Sequence, residues 1–105
     1  MDIFDLRSLV LEGKVLWTEH VALRLREQSI KRIDVIDCLQ NGVIIEHYPD
    51  DMPYPSCLIL GFTASQKPLH VVCGLNTGVI CYVITSYYPS PDKWESDYKT
   101  RKAGE

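Results

Sequence analysis

The hydrophobic pattern of the chain changes at Asn41-Gly42, and this change limits the folds that the chain can adopt. Before that point, apolar residues recur at three- and four-residue intervals, which is typical of helices that bury one face. After it, apolar residues come in short β-branched runs between polar or Pro-containing loops, which is typical of strands. Helices followed by strands predict an α+β fold in which the helices pack on one face of a sheet.

The first part of the chain predicts three helices. Gly13 offers a stop for the first helix, and Thr18 is a suitable N-cap for the second. Ser29 is a candidate cap for the third helix, which we expect to end at Asn41-Gly42. The apolar positions that indicate these helices are Ile3, Leu6, Leu9 and Val10, then Val21, Ala22 and Leu25, then Ile33, Val35, Ile36 and Leu39.

The second part predicts four strands joined by short loops, and therefore a four-stranded antiparallel meander. The longest run, residues 79–88, is apolar on both faces, which favours a central and doubly covered strand. Strict alternation puts Val83, Thr85 and Tyr87 on one face of it. Pro89 and Pro91 end the run, and residues 92–105 are expected to form a terminal helix or an arm. The other strands are expected at residues 43–48, 57–62 and 69–75.

Length and composition indicate a single domain that spans residues 1–105. The chain is 46% hydrophobic and 24% charged, which is ordinary for a globular protein, and no stretch reaches the roughly 18 apolar residues of a membrane span. The acidic N-terminus lacks the basic start of a secretory signal, so we expect a cytoplasmic protein. In that setting the cysteines are expected to be buried, reduced thiols: Cys38, Cys57, Cys73 and Cys81.

We predict neither a metal site nor a cofactor. His70 and Cys73 are three residues apart in an expected strand, and they therefore point to opposite faces. The net charge of −3 gives no overall field that would attract nucleic acid. A nucleic-acid interface would require two local basic stretches to meet in space, one at residues 24–32 and one at residues 99–102.

Several short motifs, taken in order, resemble a known family. These are His20-x-x-x-Arg24, the stretches at residues 41–46 and 69–72, and a C-terminal pattern of Thr, Tyr, Pro and Trp residues at 84–94. The family comprises small bacterial proteins of unassigned function that are allied to RelE/ParE/BrnT/MqsR-like toxins. The resemblance covers roughly residues 15–102. One departure is at Gln28, where members of the family often carry a second arginine.

The resemblance implies a RelE-like α+β fold and a toxin of a type II toxin–antitoxin pair. Such a toxin would cleave RNA, including ribosome-bound mRNA, without a metal, and would bind a cognate antitoxin protein. Histidine suits proton transfer because its pKa lies near neutrality, and arginine suits phosphate because its planar fork donates two hydrogen bonds. We therefore predict His20 or His70 as the acid or base, Arg24 on the phosphate and Tyr87 as a donor. The predicted contacts to the RNA backbone are Arg26, Lys99, Arg101 and Lys102.

The same residues also fit a protein without catalytic activity. His20 and Arg24 can form a solvated helix face in which Glu27 pairs with Arg24. His70 can be a hydrogen-bonded sheet residue, and Tyr87 can be a packing aromatic. Trp94 is expected to hold the C-terminal segment against the body. The alternative function is a non-catalytic protein-interaction module that binds an antitoxin-like partner.

Overall fold

A computed structural model describes residues 2–103 of the chain. The described residues form three helices and a five-stranded mixed sheet with strand order β1-β5-β4-β3-β2. The helices are α1 (Ile3–Leu11), α2 (Glu19–Glu27) and α3 (Arg32–Asn41). The strands are β1 (Val15–Trp17), β2 (Val43–Tyr48), β3 (Ser56–Phe62), β4 (Pro68–Asn76) and β5 (Ile80–Tyr87).

The predicted four-stranded antiparallel, RelE-like sheet is wrong. A further strand, β1, lies between the first two helices and pairs in parallel with β5, with Val15 opposite Cys81 and Trp17 opposite Val83. A strand of this length is too short to establish an alternating pattern, and its partner lies at the other end of the chain. The α+β class itself holds, because the helices pack on one face of the sheet.

The helix boundaries follow local hydrogen bonding. The prediction for Thr18 is confirmed, since its hydroxyl accepts a bond of 3.1 Å from the backbone N–H of Val21. The predicted cap at Ser29 is wrong, because α3 begins after Lys31. Ser29 instead has a φ of 56° and ends α2, and the next N–H, that of Ile30, bonds to the carbonyl of Leu25 at 2.9 Å. This is the hydrogen bond of a Schellman motif.

One core fills the space between the helices and the inner face of the sheet. Leu6, Val21 and Val35 are fully buried there, one from each helix. The cysteine prediction is confirmed within the described residues, since all four thiols are free and buried. The sheet residues of this core are Cys57, Ile59, Leu69, Val71, Cys73, Leu75, Cys81 and Val83.

Helix α3 approaches β3 so closely that glycine is required on the strand. A Cβ placed on Gly61 would lie 2.7–2.9 Å from the Sγ, Cα and Cβ atoms of Cys38. Gly42 ends α3 as predicted, but its φ of −79° is not left-handed. Its role is close packing, because a Cβ there would lie 2.5 Å from the carbonyl oxygens of Cys38 and Leu60.

The outer face of the sheet, opposite the helices, consists of three rows of neighbouring residues. A bulge in β5 at Ile84 sets its composition, since the register with β4 shifts between Val72 and Cys73. Val83 therefore faces the core whereas Thr85 and Tyr87 face outwards, and the predicted common face for these three residues is wrong. The rows are Val43-Leu60-His70-Tyr87, Glu46-Leu58-Val72-Thr85 and Tyr48-Ser56-Gly74-Tyr82.

The C-terminal segment folds back over one end of this outer face. Residues 92–103 contain no helix; they form turns closed by an antiparallel bridge between Trp94 and Arg101. Of the two predicted alternatives, this corresponds to the arm. Trp94 is buried, and its ring meets the ring of His70 edge-on at a centroid distance of 4.5 Å. The prediction that Trp94 holds this segment against the body is confirmed.

Gly61→Ala should destabilise the fold because the new methyl group would overlap the α3 backbone. We expect the free energy of unfolding in urea to fall by about 1–3 kcal/mol. Gly74→Ala is the matched control, since its Cβ would meet no atom closer than 3.5 Å. The control should change stability by no more than about 1 kcal/mol. Equal losses in the two variants would contradict the close approach.

Candidate functional site

Helix α2 follows β1 directly in the chain and contacts β5. The pairing of β1 ends at Trp17, opposite Val83. Directly afterwards Thr18 and His20 border a groove together with Val83 and Ile84. At the other end of α2, the hydroxyl of Tyr88 donates to the carbonyl of Ser29 at 3.5 Å.

The dimensions of the two elements agree with this placement. The nine residues of α2 span roughly 13 Å, and the extended chain from Ile84 to Tyr88 spans about the same length. His20 is exposed and shares its groove with Gly74 and Tyr82 of the outer face. Arg24, also exposed, lies one turn further along the same side of the helix. Of the two predicted α2 residues, His20 therefore borders a groove with β5, and Arg24 is exposed on the helix.

His70 lies beneath the surface of the outer face and does not reach solvent. Its Nε2 is 2.7 Å from the carbonyl oxygen of Tyr98, which can only accept, so Nε2 carries the proton. Nδ1 is then the acceptor for the hydroxyl of Tyr87 at 3.3 Å. Burial lowers the pKa of His70 below its usual value and keeps the ring neutral. His70 is thus arranged to position Tyr87 rather than to touch a ligand.

Tyr87, which is hydrogen-bonded to His70, lines a cavity of about 350 Å³. The phenol is half-buried, and burial raises its pKa above the usual value, so it remains protonated near neutral pH. Lys93 and Arg101 line the same cavity, as do Ser90 and Trp94. A phenol and two cations around one small cavity are suited to an anion such as a phosphate.

Arg101 is fixed by a carboxylate of the outer face. Its Nε and one terminal nitrogen donate to the two carboxylate oxygens of Glu46 at 2.9 and 3.0 Å. The guanidinium also lies 4.6 Å above the ring of Trp94. These hydrogen bonds lower the pKa of Glu46, which also accepts a bond from the hydroxyl of Tyr48. Burial and then that bond raise the pKa of Tyr48 to about 12.

The structure brings together only some of the residues predicted from sequence. His70, Tyr87 and Arg101 lie together, whereas His20 borders the groove at Tyr82 and Arg24 is exposed on α2. Among residues 2–103, no hydrogen bond or ion pair joins either of these α2 residues to the cluster. The two histidines proposed as alternatives thus have different surroundings, one exposed and one buried.

The basic residues predicted to contact RNA are spread over several surfaces. Arg26 is exposed on α2. Lys99 lines a separate cavity near Val43 and Phe62, at one end of the sheet. Lys102 is exposed, and its backbone N–H bonds to the carbonyl of Lys93. Of this set, Arg101 lines the cavity at Tyr87.

Sequence reasoning missed Glu46, Tyr48 and Lys93. The strand spacing of Glu46 and Tyr48 indicates a common face, and this signal could have linked them as a pair. Their contact with Arg101 could not be read from the sequence, because it depends on the fold of the C-terminal segment. The same dependence hid Lys93, which follows the prolines at the end of β5.

A second, larger groove lies on the outer face beside His20. It has a volume of about 600 Å³ and is bordered by Tyr54 and Tyr82. The two rings are stacked, with centroids 5.4 Å apart and planes 13° from parallel. Met52, which is 87% exposed, lines it as well. This groove and the cavity at Tyr87 lie along the same strand, β5.

Within the described residues, no group of three or more His, Cys, Asp or Glu side chains is placed to hold a metal ion. Likewise, none of the helices in residues 2–103 has both the length and the apolar character needed to cross a membrane.

Comparison with known proteins yields one family. The model of a domain of unknown function (DUF4258) matches residues 17–88. The match begins at the last residue of β1 and runs through Tyr88, so it includes His20, Arg24, His70 and Tyr87. It leaves out α1 and the C-terminal segment. No curated protein and no solved structure matches the chain.

The contact between Glu46 and Arg101 predicts a specific titration. In ¹³C NMR spectra, the carboxyl of Glu46 should titrate below its ordinary value of 4.5. The stabilisation from this contact should be complete above that value and should be lost as the pH falls through the lower, folded pKa. Arg101→Gln should return the pKa of Glu46 towards 4.5. Lys102→Gln on the same segment should leave it unchanged, and equal responses would contradict the contact.

The burial of His70 also predicts that the protein loses stability as the pH falls. Its folded pKa lies below 6.5, so the unfolded chain binds the proton more readily. Stability should therefore fall as the pH decreases from 6.5 towards the folded pKa. In ¹H–¹⁵N spectra, His70 should titrate below 6.5 and show the Nε2–H tautomer, and Trp94→Ala should raise the midpoint by exposing the ring. A wild-type midpoint above 6.5 would contradict this arrangement.

Proposed function

We propose that this chain, which belongs to the DUF4258 family of unknown function, is a metal-independent endoribonuclease and the toxin of a type II toxin–antitoxin pair. The observation that carries this proposal is the exposed His20, which borders a groove together with Val83 and Ile84 of β5. Arg24 is exposed one turn later on the same helix, and Tyr87 lies further along the same strand. The residues that form this arrangement are the ones that resemble the small toxin-allied bacterial proteins.

RNA is supported as the substrate by the local distribution of charge. The chain as a whole has a net charge of −3, yet Lys93 and Arg101 both line the cavity at Tyr87. Arg24 is a further exposed cation, on α2. Guanidinium and ammonium groups suit a polyanion with a repeating phosphate.

The proposed reaction is an internal transesterification. The 2′-hydroxyl of one nucleotide attacks the adjacent phosphorus, a new P–O2′ bond forms and the P–O5′ bond breaks. His20 accepts the proton of the 2′-hydroxyl, because its imidazole is exposed beside β5 and neutral imidazole is a suitable base. Arg24 and Arg101 neutralise the charge that develops on the phosphate oxygens. The products are a 2′,3′-cyclic phosphate and a 5′-hydroxyl.

In the proposed reaction Tyr87 donates the proton that the departing 5′-oxygen needs. In the free protein this hydroxyl donates to Nδ1 of His70, so the O–H bond must turn from His70 towards the cavity before the transfer. His70 is a positioning residue in this mechanism, because its buried ring makes no contact with the cavity. Glu46 positions Arg101 in the same way, through its two hydrogen bonds to the guanidinium.

A cognate antitoxin is the proposed protein partner, as the resemblance implies. An inhibitor of this enzyme would have to cover the strand edge between α2 and the C-terminal segment. The competing function is a protein-interaction module without catalysis, which the exposed apolar side chains of Met52 and Ile84 favour. The two functions differ in whether the purified protein cuts RNA.

RNA cleavage by purified variants tests the proposal. Wild-type protein should cleave RNA in the presence of EDTA, with or without added ribosomes, and should leave 2′,3′-cyclic phosphate ends. His20→Ala should slow cleavage by about a hundredfold to ten-thousandfold because proton transfer is lost. Arg24→Gln and Tyr87→Phe should each cost about a hundredfold to a thousandfold.

Lys14→Gln is the charge-matched control for Arg24→Gln. Lys14 is exposed in the turn before β1 and pairs with Glu12, away from the proposed site. This variant should cleave like wild type. Intact RNA under every condition would overturn the enzymatic proposal and favour the interaction module. Full activity in both His20→Ala and Arg24→Gln would show that the catalytic site lies elsewhere.

A further inference from the structure

The stacked pair of Tyr54 and Tyr82 lies in the groove that also contains His20. The ring planes are 13° from parallel and the two rings stack on each other, so each ring keeps one face that its partner does not cover. Both residues are half-buried rather than enclosed, which leaves part of that surface open to solvent. Neither ring belongs to the main core between the helices and the sheet.

The surroundings of the pair suit a flat, mostly apolar ligand with polar edges. The side chains of Met52 and Ile84 are exposed within the groove, and Gly74 leaves room on the sheet beside Tyr82. Asp51 adds a carboxylate at the rim. The volume of about 600 Å³ lies within the range of pockets that hold small organic groups.

We propose that the Tyr54–Tyr82 pair is a subsite for a base of single-stranded nucleic acid, next to the cleavage site. This inference rests on the proposed function, because it assigns the groove to the same RNA strand. His20 borders the groove, and β5 leads directly from Tyr82 to Tyr87, over a distance of about 16 Å. One strand can thus place a base on the tyrosines and an adjacent phosphate beside His20.

A site that binds a base by stacking on tyrosine should bind single strands in preference to duplexes. A base can stack on a tyrosine face only when it has left its own helical stack, and this is the common mode of single-strand recognition. Stacking of this kind tolerates any base, so the subsite supplies affinity and orientation rather than a sequence code.

Binding of an uncleavable strand tests the subsite separately from catalysis. The probe is a labelled deoxyadenosine octanucleotide, which lacks the 2′-hydroxyl that attacks in the proposed reaction. Its affinity for the full-length protein is followed by fluorescence anisotropy. Tyr82→Ala should weaken binding by about 5- to 100-fold, and Tyr82→Phe should retain most of it. Phe4→Ala is the control because Phe4 is 70% exposed on α1.

An abasic octanucleotide with the same phosphates provides the matched ligand. Tyr82→Ala should not alter its affinity, since no base is present to stack. If Tyr82→Ala proves unfolded by circular dichroism, Tyr54→Ala serves as the second variant, with the same expected loss. Wild-type affinity in the folded Tyr82→Ala or Tyr54→Ala protein would overturn the subsite, as would equal binding of single strand and duplex.

The outcomes for the subsite and for catalysis are distinguishable. Tyr82-dependent binding of the octanucleotide without any RNA cleavage would support the base subsite and overturn the nuclease. Cleavage that depends on His20, combined with binding that ignores Tyr82, would support the nuclease and overturn the subsite.

Discussion

The outer face of the sheet depends on the contact between His70 and the C-terminal segment. Trp94 covers the imidazole edge-on, and the carbonyl of Tyr98 accepts its Nε2 proton. Without that cover, a histidine in the middle of the sheet would be hydrated and its ring free to rotate. Because Trp94 covers the ring, Nε2 stays bonded to the C-terminal segment and Nδ1 stays bonded to Tyr87. The same contact therefore fixes the segment from Trp94 to Tyr98 and holds the phenol oxygen of Tyr87 in place.

A carboxylate beside the proposed phosphate site has a physical explanation. Glu46 repels an incoming phosphate, but it also holds the flexible Arg101 side chain in one orientation through two hydrogen bonds. The side chain of Arg101 therefore loses its conformational entropy when the protein folds, and not when a phosphate binds. The acidic chain thereby keeps an oriented cation at its surface, and the overall charge gives little information about the local field.

Local sequence patterns predicted much of the fold correctly. Thr18 as an N-cap, the helix end at Asn41 and the burial of Trp94 followed from residue type and spacing. The predictions about the sheet that were wrong depend on how strands pair with residues elsewhere in the sequence. The parallel strand β1 exists because β5 is available beside it, and no feature of Val15–Trp17 alone reveals that partner. The bulge at Ile84 reversed the expected faces in a run that is apolar on both sides, where alternation carries no signal.

In the candidate site too, residue types could be predicted locally, whereas contacts between distant residues could not. His20, Arg24, His70 and Tyr87 were selected by chemistry and by resemblance, and three of them border exposed surface of the described structure. The burial of His70 was not evident, because it is caused by a segment that begins more than twenty residues later in the chain. The role of Glu46 was missed for a similar reason, since its partner Arg101 lies near the other end of the sequence.

The pairing of β1 with β5 has a consequence for how the protein is made. The first strand of the sheet is synthesised early, but it has no partner until β5 has left the ribosome. Arg101 and the segment that covers His70 emerge later still. A nascent chain therefore carries His20 and Arg24 on α2 before β5 is paired and before Trp94 covers His70.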